Sequence, residues 1–98
     1  MKPLSKPEVA EFIALQLASW TLEENTIVRN FKFKTFVDAF SFMTAIALIA
    51  EKMNHHPDWS NSYNKVNVTL TTHEANGITP RDFDLAGSID RIWKNYQQ

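Results

Sequence analysis

The chain of 98 residues has no cysteine, only two glycines and no apolar run long enough to span a bilayer. Without cysteine, neither a disulfide framework nor a thiolate metal site can form. The isolated Gly77 and Gly87 cannot build a phosphate-binding glycine loop, and no matched serine motif provides a nucleophile. The chemistry that remains is that of ordinary polar and titratable side chains.

The charges of the chain nearly balance. The formal net charge is -1 and the pI is about 6.3, so there is no basic surface for direct binding of nucleic acid. Binding to an anionic membrane is disfavoured for the same reason, and no apolar run typical of a signal peptide precedes Pro7. We expect a cytoplasmic protein with a single domain over residues 1–98.

Three segments carry the signal for a helix start, in which a hydroxyl residue is followed three residues later by Glu or Asp. Helices are therefore predicted to begin after Ser5, Thr35 and Thr79. The first is expected to end near Ala18 and the second at about Met53.

Two of the four predicted strands, 26–34 and 66–72, divide their side chains between two faces by alternation, which is typical of half-buried antiparallel strands. The predicted strands cover 20–23, 26–34, 59–63 and 66–72, and a tight turn at Asn64-Lys65 joins the second pair. With the helices, the order αββαββα predicts an α+β domain, in which three helices cover one face of a four-stranded antiparallel sheet.

The second predicted helix is apolar nearly all round. Between residues 36 and 50 only Asp38, Ser41 and Thr44 are polar, and they form a narrow stripe. A chain of this size has few elements to cover such a helix, so we expect a homodimer or homotetramer that buries this helix or a sheet edge. Complete burial of the helix within one monomer is the alternative.

All three histidines lie in two short segments that lack the periodicity of a core element. His55 and His56 fall within the run 51–59, Glu-Lys-Met-Asn-His-His-Pro-Asp-Trp, and His73 follows Thr72 in the polar row of the last strand. Because imidazoles exchange protons near neutral pH, such a cluster is suited to acid/base catalysis. A metal site and a plain solvated loop also remain open.

The neighbouring residues bear on these alternatives. Pro57 restricts the backbone of His56, while Trp59 and Tyr63 are candidates for a flat apolar wall beside a planar ligand. The histidine spacing is not that of a familiar zinc site, so no metal is expected, although carboxylates able to bind one occur at Glu51, Asp58 and Glu74.

Several runs of residues match one known family. They are Phe31-Lys32-Phe33-Lys34, Glu51-Lys52-x-x-His55-His56-Pro57-x-Trp59, Tyr63-Asn64-Lys65-Val66, Leu70-x-Thr72-His73-Glu74-x-x-Gly77 and Arg81-Asp82. This pattern resembles the pterin-4a-carbinolamine dehydratase family over roughly residues 20 to 92. The family has the same α+β architecture as the one predicted above.

The resemblance implies an enzyme that converts 4a-hydroxytetrahydropterins, the carbinolamines made by aromatic amino-acid hydroxylases, to quinonoid dihydropterins in tetrahydrobiopterin recycling. It implies no cofactor, because the pterin is the substrate, and it makes such a hydroxylase a pathway partner. In animals, members of this family also bind a homeodomain transcription factor. A non-enzymatic protein-binding module that uses the apolar second helix is therefore the alternative function.

The resemblance also implies roles for individual residues. His55 and His73 would be acids that assist departure of the hydroxyl, and His56 would hold the pterin or take the proton from N5. Supporting residues would be Glu51, Pro57, Trp59, Thr72 and Asp82, of which the two carboxylates would orient imidazoles. Simpler explanations also exist, because Glu51 lies near a helix end and Asp82 lies at a helix start.

Overall fold

The computed structural model describes residues 1–97 and has the helices and strands in the predicted order. The helices are α1 (Lys6–Gln16), α2 (Phe36–Met53) and α3 (Pro80–Trp93). The strands are β1 (Thr21–Glu23), β2 (Thr26–Lys32), β3 (Asp58–Ser62) and β4 (Lys65–Leu70). Short 3-10 helices follow over His73–Ala75 and Lys94–Tyr96. Residue 98, which the predicted domain includes, lies outside the described residues.

The four strands form one antiparallel sheet in the order β1-β2-β4-β3, which confirms the predicted α+β class. β3 begins directly after the paired histidines, and β4 ends shortly before His73. Asp58 in β3 lies opposite Thr69 in β4. The sheet pairing therefore brings both histidine segments to the same end of the sheet.

One face of the sheet packs against the helices and the other is open. Ile27, Phe31 and Val68 point toward the helices and share a buried cluster with Phe42 of α2 and Ile89 of α3. The alternating side chains of β2, β4 and β3 lie on the open face and are mostly polar. This alternation follows from the period of two along a strand.

The predicted helix starts are confirmed. The Ser5 hydroxyl accepts from the Glu8 N–H at 3.3 Å, and the Glu8 carboxylate accepts from the Ser5 N–H at 2.8 Å. The Ser5 N–H holds the pKa of Glu8 below its ordinary value because it stabilises the carboxylate. The Thr35 hydroxyl accepts from the Asp38 N–H at 3.1 Å in the same way.

Some predicted boundaries are wrong. α1 ends at Gln16, close to the predicted Ala18, but β4 ends at Leu70 and not at residue 72. The β3–β4 turn lies at Tyr63-Asn64 and not at Asn64-Lys65, because Lys65 already pairs with Ser62. The Asn64 carbonyl accepts from the Phe33 N–H at 2.8 Å, and its amide donates to the Phe33 carbonyl at 2.8 Å.

The corrected turn moves Tyr63 away from the site proposed from the sequence. Tyr63, and not Asn64, takes the left-handed conformation, with φ 52. It is exposed at the end of β3 opposite the histidines, so it does not line their segment.

Only one side of α2 is covered. Four apolar side chains on the other side are between 46% and 72% exposed: Phe36, Val37, Phe40 and Leu48. The alternative in which the monomer buries this helix completely is therefore wrong. Among residues 1–97, no helix combines the length and hydropathy needed to cross a membrane.

Candidate functional site

The paired histidines lie at the C-terminal end of α2. Asn54 ends this helix in the left-handed conformation, with φ 53, and the His55 N–H donates to the Ala50 carbonyl at 3.0 Å. The side chains of His55 and His56 are 7% and 57% exposed, respectively. The turn therefore places one imidazole in the interior and leaves its neighbour at the surface.

His55 is joined to Asp82 by a hydrogen bond inside the protein. The distance between His55 Nε2 and Asp82 Oδ1 is 2.6 Å, and Asp82 is 0% exposed. With Nε2–H donating to the carboxylate, the ring orientation is fixed and Nδ1 remains for another partner.

The second oxygen of Asp82 is also satisfied. Asp82 Oδ2 accepts from the Thr72 hydroxyl at 2.8 Å and from the Thr79 N–H at 2.9 Å. The hydroxyls of Thr72 and Thr79 are themselves 2.8 Å apart. This buried network ties the histidine segment, the chain after β4 and the start of α3 together.

The imidazole of His56 lies beside a different carboxylate. Its Nε2 is 2.8 Å from Oε1 of Glu51, in the last turn of α2, and both side chains are exposed. A pair this exposed contributes little to stability. The hydrogen bond with Glu51 does orient the imidazole of His56, and the exposed ring stays accessible to a ligand.

His73 pairs with a third carboxylate. Its Nε2 is 3.3 Å from Asp58 Oδ2, and its side chain is 72% exposed. Its neighbour Thr72 is fully buried and bonded to Asp82. The backbone that carries His73 is thus fixed to the network that holds His55. His73 begins the 3-10 helix after β4, and its ring lies beside Asp58 of the open face.

The other supporting residues shape the segment without touching the histidines through a hydrogen bond. Pro57 is half-buried and follows His56 directly. Trp59 lies on the helix-covered face opposite Val68 and packs against the core. Its closure of a substrate pocket stays a prediction.

Sequence reasoning missed the second role of Thr79. It identified Thr79 as a helix cap, whereas its buried hydroxyl also meets that of Thr72. The pairing of His73 with Asp58 was likewise not predicted, because Asp58 entered only among the carboxylates able to bind a metal. For Asp58, the available signal was its position two residues after His56.

The site presents three imidazoles, one buried and two exposed, each beside its own carboxylate. Carboxylates that hold imidazoles in fixed orientations suit groups that give and take protons. Among residues 1–97, no group of three or more His, Asp or Glu side chains is arranged to hold a metal ion.

The amino-acid sequence matches the family model described as Pterin 4 alpha carbinolamine dehydratase over residues 2–92. It is 54% identical over 87 residues to a Sinorhizobium fredii protein provisionally named pterin-4-alpha-carbinolamine dehydratase. That alignment covers 84% of this chain and 83% of the relative.

Two solved structures resemble the fold. The crystal structure of transcriptional coactivator/pterin dehydratase from Brucella melitensis has a TM-score of 0.88 and 42% identity, covering 93% of this chain and 98% of the other. A pterin dehydratase-like protein identified as a RuBisCO assembly factor in the alpha-carboxysome has a TM-score of 0.62, covering 74% of this chain and 84% of the other. At 19% identity, this second likeness concerns the fold alone.

Proposed function

The chain belongs to the pterin-4-alpha-carbinolamine dehydratase family, and on that basis we propose that it converts 4a-hydroxytetrahydropterins to quinonoid dihydropterins and water. The supporting observation is the set of three imidazole–carboxylate pairs at one end of the sheet. The carbinolamine would come from an aromatic amino-acid hydroxylase, so the reaction would serve tetrahydrobiopterin recycling.

The proposed chemistry is a loss of water. The C4a–O bond breaks, the departing hydroxyl gains a proton, N5 loses its proton, and a C4a–N5 double bond forms. The reaction needs an acid near the oxygen and a base near N5, each of which typically contributes about a hundredfold or more in rate. No electron is transferred, so we propose that the pterin reacts without a redox cofactor.

The geometry supports distinct roles for the histidines. His73 is exposed beside Asp58 and is proposed as an acid that protonates the leaving hydroxyl. His56, oriented by Glu51, is proposed to hold the pterin or to take the N5 proton. His55 is proposed to act as a second acid from the interior side of the site, with its ring held by Asp82.

A coupled assay tests the proposed activity. A pterin-dependent hydroxylase generates the 4a-carbinolamine, and its decay is followed spectroscopically with and without the protein. We expect the wild-type protein to accelerate the decay, and a His56→Ala, His73→Ala double variant to lose that acceleration because both acid/base groups are gone. No acceleration by folded wild-type protein would contradict the proposed activity.

A second candidate function is protein binding through α2. The exposed apolar side chains of this helix border a cavity of about 410 Å³ lined by Phe36, Val37, Phe40, Ser41 and Thr44. Contiguous exposed apolar surface of this kind marks interaction sites. We propose that it joins copies of this chain into a homodimer or homotetramer, and that another protein can occupy the same surface.

Replacing Phe40 with glutamate tests this surface. We expect the substitution to weaken self-association at least about thirtyfold, because it places a charge in a desolvated apolar contact. Sedimentation equilibrium at micromolar concentrations measures the effect, with Leu15→Glu, an exposed position on α1, as the matched control. A monomeric wild-type protein at these concentrations would contradict the proposed self-association.

A further inference from the structure

A second polar site lies on the open face of the sheet, at the end opposite the histidines. Six polar side chains from β2, β4 and β3 border an open cavity of about 250 Å³. They form two cross-strand rows of three, Lys32–Lys65–Ser62 and Asn30–Asn67–Ser60. We call this site the lysine cavity.

The first row places two positive charges next to each other. Lys32 of β2 and Lys65 of β4 are directly paired across the strands, a position at which like charges destabilise a sheet. Among residues 1–97, no carboxylate oxygen lies within 4.0 Å of either ammonium group. The lysine cavity therefore carries a positive charge that the neighbouring side chains do not neutralise.

The remaining groups of the lysine cavity offer hydrogen-bond donors. Asn67 Nδ2 donates to Asn30 Oδ1 at 2.6 Å, and Asn67 Oδ1 accepts from the Thr69 hydroxyl at 3.4 Å. These bonds engage the amide oxygens and leave the Asn30 amide N–H groups available. The hydroxyls of Ser60 and Ser62 add two further donors.

Negative charge on this face lies at the other end of the sheet. Asp58 is in the row of Thr69, beyond both rows of the lysine cavity, and its carboxylate is 3.3 Å from His73 Nε2. Ser62 is four positions after Asp58 along β3, which corresponds to a rise of about 13 Å. The lysine cavity is thus distinct from the histidine site but lies on the same surface.

We propose that the lysine cavity binds an oxyanion of the phosphate type. Two paired lysines, with amide and hydroxyl donors in the same and the adjacent row, match the charge and the several acceptor oxygens of such a group. Binding would also relieve the repulsion between Lys32 and Lys65.

Titration with inorganic phosphate at constant ionic strength, with chloride as the balancing anion, tests the proposal. Backbone amide shifts of β2, β3 and β4 are followed by NMR. We expect saturable shifts at the two rows of the lysine cavity in the wild-type protein. Lys65→Gln is expected to weaken binding at least about tenfold, and Lys32→Gln, Lys65→Gln together to abolish saturation, because charge-assisted hydrogen bonds are lost.

Lys34→Gln is the matched control, since it removes the same charge two residues from Lys32 and outside the lysine cavity. Phosphate affinity within about twofold of wild type in this variant supports a specific site. Equal weakening by Lys34→Gln, or shifts that never saturate, would overturn the proposal. In chloride buffer without phosphate, the melting temperature of the Lys32→Gln, Lys65→Gln variant is expected to equal or exceed that of the wild type, because the repulsion between the two lysines is removed. That result would show that the variant is folded.

A pterin with a phosphorylated side chain distinguishes two sources of the oxyanion. Tighter binding than inorganic phosphate, with an added shift at His73, would identify a substrate tail that reaches the lysine cavity, a result that also rests on the proposed function. If the phosphorylated pterin binds no more tightly than inorganic phosphate and causes no shift at His73, the natural ligand of the lysine cavity is a phosphate compound other than the substrate. Both results support the site, and the phosphate titration stands whether or not the protein is a dehydratase.

Discussion

Replacing His73 with alanine is expected to lower the turnover of carbinolamine dehydration at least about a hundredfold, the usual effect of losing a positioned acid. The free energy of unfolding should change by less than about 0.5 kcal/mol, because the side chain is 72% exposed and its partner Asp58 is exposed as well. Steady-state kinetics and urea denaturation measure the two quantities on the same protein.

The combination of these two results identifies a catalytic role. Glu74→Ala is the matched control, since Glu74 is the exposed neighbour of His73 and its carboxylate lies 3.7 Å from the Arg81 guanidinium. This control should retain turnover within about twofold and the same stability. Wild-type turnover in His73→Ala would refute the proposed acid. A large loss of stability in that variant would instead indicate a structural role.

The order of helices and strands was predictable because each depends on a local signal. Hydroxyl caps begin the helices, and alternation along β2 and β4 separates the covered face from the open one. The β3–β4 turn was misplaced because its position depends on contacts with the chain just after β2, which are distant in the sequence. Bonds between Asn64 and Phe33 fix the turn, and no property of the dipeptide Asn64-Lys65 reveals them.

The candidate site was predictable only in part, because some of its contacts join residues that are distant in the sequence. Parity along the predicted strand assigned His73 to the polar row, but β4 ends at Leu70 and His73 begins a 3-10 helix, so its exposure beside Asp58 depends on that turn and not on the strand. The burial of His55 depends instead on Asp82, which is 27 residues away in the sequence. Asp82 is both a helix-start residue, bonded to the Thr79 N–H, and the partner of an imidazole. Asp82 therefore makes both contacts that the sequence left open, while its supporting role in the reaction stays a prediction.

Asp82→Ala is expected to lower the free energy of unfolding by about 3–5 kcal/mol, because each buried hydrogen-bond donor left without its acceptor costs about 1–3 kcal/mol. The substitution leaves the Thr72 hydroxyl, the Thr79 N–H and His55 Nε2–H without their shared acceptor. Urea denaturation measures the loss. Asp84→Ala, an exposed carboxylate two residues later in α3, should cost less than about 0.5 kcal/mol.

A double-mutant cycle between Asp82 and His55 measures how much of this stability loss comes from the hydrogen bond between them. If the 2.6 Å bond carries much of it, the two alanine substitutions together cost less than the sum of the single ones, by at least about 1 kcal/mol. Additive losses would mean that Asp82 stabilises the start of α3 independently of the imidazole. Asp82→Asn preserves the shape of the side chain but changes its donors and acceptors. We compare the turnover of this variant with its free energy of unfolding. If turnover falls although most of the protein remains folded, the carboxylate positions His55 for the reaction.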